Sequence, residues 1–199
     1  PISRARGILP ARRRTVKHAA LIQGCVSRRK RIMIDTIRWV LNEENPSARY
    51  LALRYLLGRD AGDPQVRAAR AEIPGWGPAR AILDAQWPAG YWVAPGPGYS
   101  PRHKGTVWQV IFLAALGAPL TPAIARACET VLRHSRLPDG RFTAGKTARD
   151  AVACLNGNLL RAMYRFGYDD PRVEDSLEAL AEMVRRDRFC CRFNAPQPL

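Results

Sequence analysis

The chain has 199 residues, 47% of them apolar, and a formal net charge of +15. That length holds one domain, or one domain with a tail, and the apolar share is ample for a core. No run of about 18 apolar residues occurs, which argues against a membrane span. The five cysteines have no disulfide-scaffold spacing and no secretory signal is seen, so reduced thiols in a cytoplasmic setting are expected.

The charge is unevenly placed. Residues 1–32 hold ten Lys/Arg and no acid, whereas residues 33–199, with 22 basic and 17 acidic residues, carry only +5. The expected division is a basic arm over 1–32 and a helical-hairpin repeat domain over 33–199. The arm reads as a phosphate-neutralising segment for nucleic acid or an acidic membrane surface, as an Arg-rich transit peptide, or as disordered or non-native upstream sequence outside the working protein.

In chain order, helices are predicted near 34–43, 47–57, 64–73, 77–86, 105–116, 122–134, 149–166 and 171–186. Asn45-Pro46, Asp63-Pro64, Thr121-Pro122 and Asp170-Pro171 each place a capping side chain before a proline whose fixed φ suits the first helical position. Gly58, Gly117 and Gly167 follow apolar periodic runs and suit the left-handed residue that closes a helix. Strand-like alternation is absent. Helix 105–116 is apolar nearly all round, and 149–166 resembles it, so both read as inner helices. Helices 122–134 and 171–186 have one apolar face each and read as outer helices. Gly117 and Gly167 lie 50 residues apart, and Gln86-Trp-Pro-Ala-Gly-Tyr-Trp92 is echoed by Leu137-Pro-Asp-Gly-Arg-Phe142 at nearly that offset. Gly and Pro at fixed phase mean stacked helical hairpins. The fold class expected is all-α, with α/α-hairpin repeats forming a partial toroid. The Gly/Pro-rich stretch 88–104 is a long loop of the kind that often carries function.

These features resemble the α/α-toroid superfamily of terpene cyclases and protein prenyltransferase β subunits. Gln86-Trp-Pro-Ala-Gly90-Tyr-Trp92 is similar to the end of the QW repeat, and Pro138-Asp139-Gly140-Arg-Phe142 is similar to the Gly-Phe turns of prenyltransferase repeats. The resemblance covers about residues 45–193. It implies that Gln86 and Trp92 act as staples between helices. It also implies an isoprenoid or other apolar ligand in a central cavity. The Asp-x-Asp-Asp and Asp-Asp-x-x-Asp motifs of those enzymes do not occur. Eight helices leave a toroid open, so a truncated ring or a homo-oligomer that completes it is expected.

Asp150, as a general acid, and His103 are the candidate catalytic residues. Tyr99 and Trp108 offer ring faces that stabilise a carbocation, and His103 and Lys104 can meet a diphosphate at a helix N-terminus. Asn156 and Asn158 flank Gly157, three poor helix formers together. They predict polar groups facing the toroid centre, or else close helix packing with an Asn bonded to a neighbouring backbone. Cys154, Cys190 and Cys191, with His103 or Cys128, are candidate zinc ligands, although no Cys-x-x-Cys spacing supports the site. The cofactor is otherwise open. The alternatives to an isoprenoid-binding protein are a non-catalytic helical-repeat interaction module and a nucleic-acid binder acting through residues 1–32.

Overall fold

The computed structural model describes residues 36–42 and 44–187. The chain divides into two units, Pro1–Asn42 and Glu43–Leu199. In the first, α1 spans residues 36–40 and is extended by a bond from Leu41 N–H to the Ile37 carbonyl (3.0 Å).

The second unit holds α2 (Pro46–Leu51), α3 (Pro64–Glu72), α4 (Gly77–Asp84), α5 (Thr106–Ala115), α6 (Pro122–His134), α7 (Ala153–Phe166) and α8 (Pro171–Asp187). The fold is all-α. Among the described residues the only β pairing is two isolated bridges, Arg136 with Phe142 and Thr143 with Ala151. The expected caps form. Asn45, Asp63 and Thr121 each accept a backbone N–H of the following turn, and proline occupies the start of α2, α3 and α6. Asp170 accepts the Arg172 N–H at the start of α8.

Three hairpins result, α2 with α3, α5 with α6 and α7 with α8, and α5 packs directly on α7. The two central helices are thus each flanked by an outer partner. The core lies between them, with Val107, Val110, Leu113, Ile124, Leu159 and Met163 fully buried.

The 50-residue period holds at the level of single hydrogen bonds. In the first copy Trp87 N–H bonds the Tyr91 carbonyl (2.9 Å) and Gly90 N–H the Trp87 carbonyl (2.8 Å). In the second, Leu137 N–H bonds the Arg141 carbonyl (2.8 Å) and Gly140 N–H the Leu137 carbonyl (3.0 Å). Gly90 and Gly140 have φ of 90° and 86° and lie on the backbone of α6 and α8 respectively, where a Cβ would crowd Arg126 or Asp175. Each turn then delivers a buried ring. Trp92 N–H donates to Thr106 Oγ1 (3.2 Å), and Phe142 N–H donates to Asn156 Oδ1 (2.6 Å). The Gln86 amide donates to the Ala123 carbonyl at the start of α6 (3.0 Å). Arg136, its counterpart 50 residues on, reaches Ser176 Oγ (3.0 Å) and Asp175 of α8. Both side chains tie a turn to the next outer helix.

Two boundaries differ from the sequence reading. α2 ends in a wider turn over Ala52–Leu56, where Leu57 N–H reaches back five residues to Ala52 (2.9 Å). The helix predicted from 149 starts only at Ala153. A Thr147–Asp150 capping box closes a single 3-10 turn at Ala148–Asp150, and Ala151 is held extended by its bridge to Thr143.

Consecutive hairpins are also joined by charge. Arg172 donates to Asp170 (2.7 Å) and to Glu129 of α6 (2.5 Å), and Glu129 also takes Arg133 (3.1 Å). The Arg172 guanidinium holds both carboxyls below their ordinary values, 3.8 for Asp170 and 4.5 for Glu129. A lowered folded-state pKa makes stability present above the unfolded value and lost as pH falls through the folded one. The expected result is a midpoint of thermal unfolding that is flat from neutrality to about pH 5 and falls steadily below it. Arg172→Ala is expected to lower the plateau and flatten the acid limb, and a parent-like acid limb would exclude the network as its source.

Candidate functional site

Residues 95–105 fold onto the start of α5. Gly105 is the hinge of this contact, since a Cβ there would lie 2.2 Å from the Gly98 carbonyl oxygen. The loop is fixed by side chains of α5. Trp108 Nε1 donates to the Tyr99 carbonyl (2.8 Å), and the buried Gln109 amide donates to the His103 carbonyl (2.9 Å). His103 is held with φ of 65°, a left-handed conformation. Four rings gather as a result. Trp108 stands 5.1 Å from Tyr99 and 4.6 Å from His103, and Phe112 lies 6.4 Å from Trp108 and 6.3 Å from His103. The Arg102 guanidinium covers the Trp108 ring at 5.9 Å. Tyr99, Trp108 and Phe112 are half-buried, while Arg102, His103 and Lys104 are exposed. Three of the four expected members, Tyr99, His103 and Trp108, are therefore in one cluster, and Lys104 adjoins it.

The other candidates divide. Asn156 is fully buried and does not face a cavity. Its Nδ2 donates to the carbonyls of Phe142 (2.8 Å) and Val152 (3.0 Å), and its Oδ1 accepts the Phe142 N–H. Both of its N–H donors and its oxygen are thus spent on backbone. Gly157 faces α8, where a Cβ would meet Leu180 at 4.0 Å. Asn158 and Cys154 are exposed. Asp150 does not open a long helix. Its carboxylate accepts the Thr147 hydroxyl (2.9 Å) and N–H (3.3 Å) in the capping box, a geometric reason for an acid at that position. Cys190 and Cys191 lie outside the described residues. Among the described residues no three His, Cys, Asp or Glu side chains converge to hold a metal. Cys128 is buried in the core of α6, and burial pushes its thiol up to about 12.

The repeat places α5 and α7 in the same register, so residues 50 apart occupy equivalent places on adjacent helices. Trp108 and Asn158, Ile111 and Arg161, and Ala115 and Arg165 form three such pairs, Lys104 in the turn just before α5 is the counterpart of Cys154, and every one of these residues is exposed or half-exposed. Packed helices run about 8–10 Å apart, so these residues make one two-helix stripe. At its far end the Arg165 guanidinium lies 5.5 Å from the Tyr55 ring, with Arg54 at 6.0 Å from the same ring. Tyr55, Leu56 and Leu57 are exposed there.

The stripe carries a charge signal that the sequence reading missed. Pro46–Leu56, α5 and α7 contain no Asp or Glu, and their only charges are Arg49, Arg54, Arg161 and Arg165. The helical acids sit on the flanking elements, chiefly α8 with Glu174, Asp175, Glu178, Glu182 and Asp187. Counting acids per helix would have found it. Among the described residues no helix is long and apolar enough to cross a membrane. Compared with protein-family models, with characterised proteins and with solved structures, the chain finds no match.

Proposed function

We propose that the chain is a helical-repeat binding module whose working surface is the exposed stripe of α5 and α7. One observation carries the reading. The polar groups that an enclosed reaction cavity would use, Asn156 and Asp150, are engaged in holding backbone and a capping turn. The cations and half-exposed rings, by contrast, lie outward on or next to helices that contain no acid of their own. Such a face suits an anionic partner. The 50-residue recurrence of turn, buried ring and polar staple supports an open arrangement of the α/α-toroid type, with the repeats serving as scaffold.

The test compares two charge-matched pairs of substitutions on immobilised heparin. Lys104→Glu with Arg161→Glu alters the stripe. Arg67→Glu with Arg126→Glu alters exposed positions of α3 and α6. The stripe pair is expected to elute at clearly lower salt than the flank pair, and equal elution would overturn the reading.

A second reading has its own observation, the ring cluster of Tyr99, His103, Trp108 and Phe112 beside Arg102 and Lys104. It is an isoprenoid site that takes an apolar chain over the rings and an anionic head on the cations. Quenching of tryptophan fluorescence by farnesyl diphosphate, lost in Trp108→Ala, is its expected signature. An unchanged Trp108→Ala titration would remove it.

A further inference from the structure

We propose that single-stranded nucleic acid binds along the α5–α7 stripe, through the folded repeats themselves. The proposal rests on reading that stripe as the binding surface and names its partner. Three features of the face point to this polymer.

The first is uncompensated charge. Arg102, Lys104 and Arg161 are exposed, Arg165 is half-buried, and among the described residues none of them pairs with a carboxylate. Several arginines elsewhere are spent in pairs, such as Arg49 with Glu72 and Arg136 with Asp175, while Arg67, Arg126 and Arg149 are exposed without a carboxylate among the described residues, on other elements. What sets the stripe apart is that its unpaired cations lie on or next to α5 and α7, two helices that contain no acid.

The second is the kind of cation. Three of these four are arginines, whose planar fork takes two oxygens of one phosphate. Arg161 and Arg165 are one turn apart, about 6 Å along the helix axis, so they meet successive sites on an extended chain.

The third is the rings beside the cations. Trp108 lies under Arg102 with Phe112 beside it, and Tyr55 lies beside Arg54 and Arg165. An acidic peptide needs only the charges. A polymer with regular phosphates and flat bases uses both, because unpaired bases stack on aromatic side chains whatever their sequence. The ten cations of residues 1–32 add phosphate affinity of the same sign.

The experiment is fluorescence anisotropy of a labelled oligothymidylate with the full chain, titrated at salt between about 50 and 200 mM. Lys104→Glu with Arg161→Glu is expected to weaken binding by about tenfold or more and to make the salt slope shallower by about two. The flank pair Arg67→Glu with Arg126→Glu has the same net charge and is expected to stay within about threefold of the parent. Trp108→Ala is expected to weaken binding further while leaving the salt slope unchanged. If the stripe pair loses heparin retention but binds the oligonucleotide like the flank pair, the nucleic-acid proposal falls alone. If a poly-glutamate peptide binds as tightly and with the same response to both pairs, the surface stands and its partner is an acidic protein. If neither heparin nor oligonucleotide distinguishes the two pairs, both readings fall together.

Discussion

Asn156→Ala is expected to destabilise the fold by about 3–5 kcal/mol, the largest effect of any single polar substitution in α7. The side chain meets both backbone groups of Phe142, a residue with no exposed surface, at 2.6 Å to the N–H and 2.8 Å to the carbonyl. Alanine leaves a donor and an acceptor buried and unmet. Each such orphan costs about 1–3 kcal/mol, to which a small cavity is added. Asn156→Asp is expected to be as damaging, since it removes the Nδ2 donor and sets a carboxylate against two carbonyls. Thr106 is the same position in the preceding copy, but its hydroxyl accepts one N–H from Trp92 at 3.2 Å, so Thr106→Val is expected to cost only about 1–2 kcal/mol. Asn158→Ala, exposed and two residues away, is expected within about 0.5 kcal/mol of the parent. Urea unfolding of the four variants checks the order. If Asn156→Ala and Asn158→Ala behaved alike, Asn156 would not be the staple of this turn.

That residue also marks how far the sequence is legible. The Gly/Pro punctuation located the helices of the hairpins, because caps and left-handed closures are local. The repeat of Gln86–Trp92 in Leu137–Phe142 located the turns. Asn156 was recognisable as unusual in a helix, yet a buried Asn aimed at a ligand and one aimed at a backbone 14 residues upstream look alike in one dimension. Aligning the copies resolves it, since Trp92 and Thr106 stand to one another as Phe142 and Asn156 do. Asp150 was misplaced for a related reason. A capping acid and a catalytic acid are the same letter, and only the pairing of Thr143 with Ala151 shows the helix starting later. The stripe was unseen because outward positions are defined by packing. Arg161 and Arg165 share a face with Lys104 and Trp108 only once α7 lies on α5 in repeat register. The wide turn of α2 has no sequence signal we recognise.

Arg70→Ala is expected to destabilise the protein by about 2–4 kcal/mol and to broaden its unfolding transition. Arg70 projects from α3, in the first hairpin, and reaches the ends of both central helices. Its Nε donates to the Gly117 carbonyl (3.3 Å), and its Nη2 donates to the carbonyls of Ala118 (3.4 Å) and Arg165 (2.8 Å). Its guanidinium also lies 5.5 Å from the Tyr50 ring. Arg165 lies in the last turn of α7, whose final carbonyls have no intrahelical donor and form the negative end of its dipole, and Gly117 and Ala118 follow directly on the end of α5, so one cation serves the C-terminal side of both helices. The effect on cooperativity follows from where the residue sits. In a stack of hairpins, each unit is coupled to the next by its interface, and those couplings make the array unfold as one. Arg70 contributes to the contact of the first hairpin with both of the others, so its removal weakens coupling more than it weakens any hairpin. The expected reading is a lower urea midpoint together with a smaller m-value, as the first hairpin begins to open ahead of the rest. Arg70→Lys keeps the charge but not the fork, and is expected to recover less than half of the loss. Arg67→Ala, exposed on the same helix, is expected to leave midpoint and slope unchanged. A fall in midpoint at constant m-value would show that Arg70 stabilises the domain as a whole without coupling its hairpins.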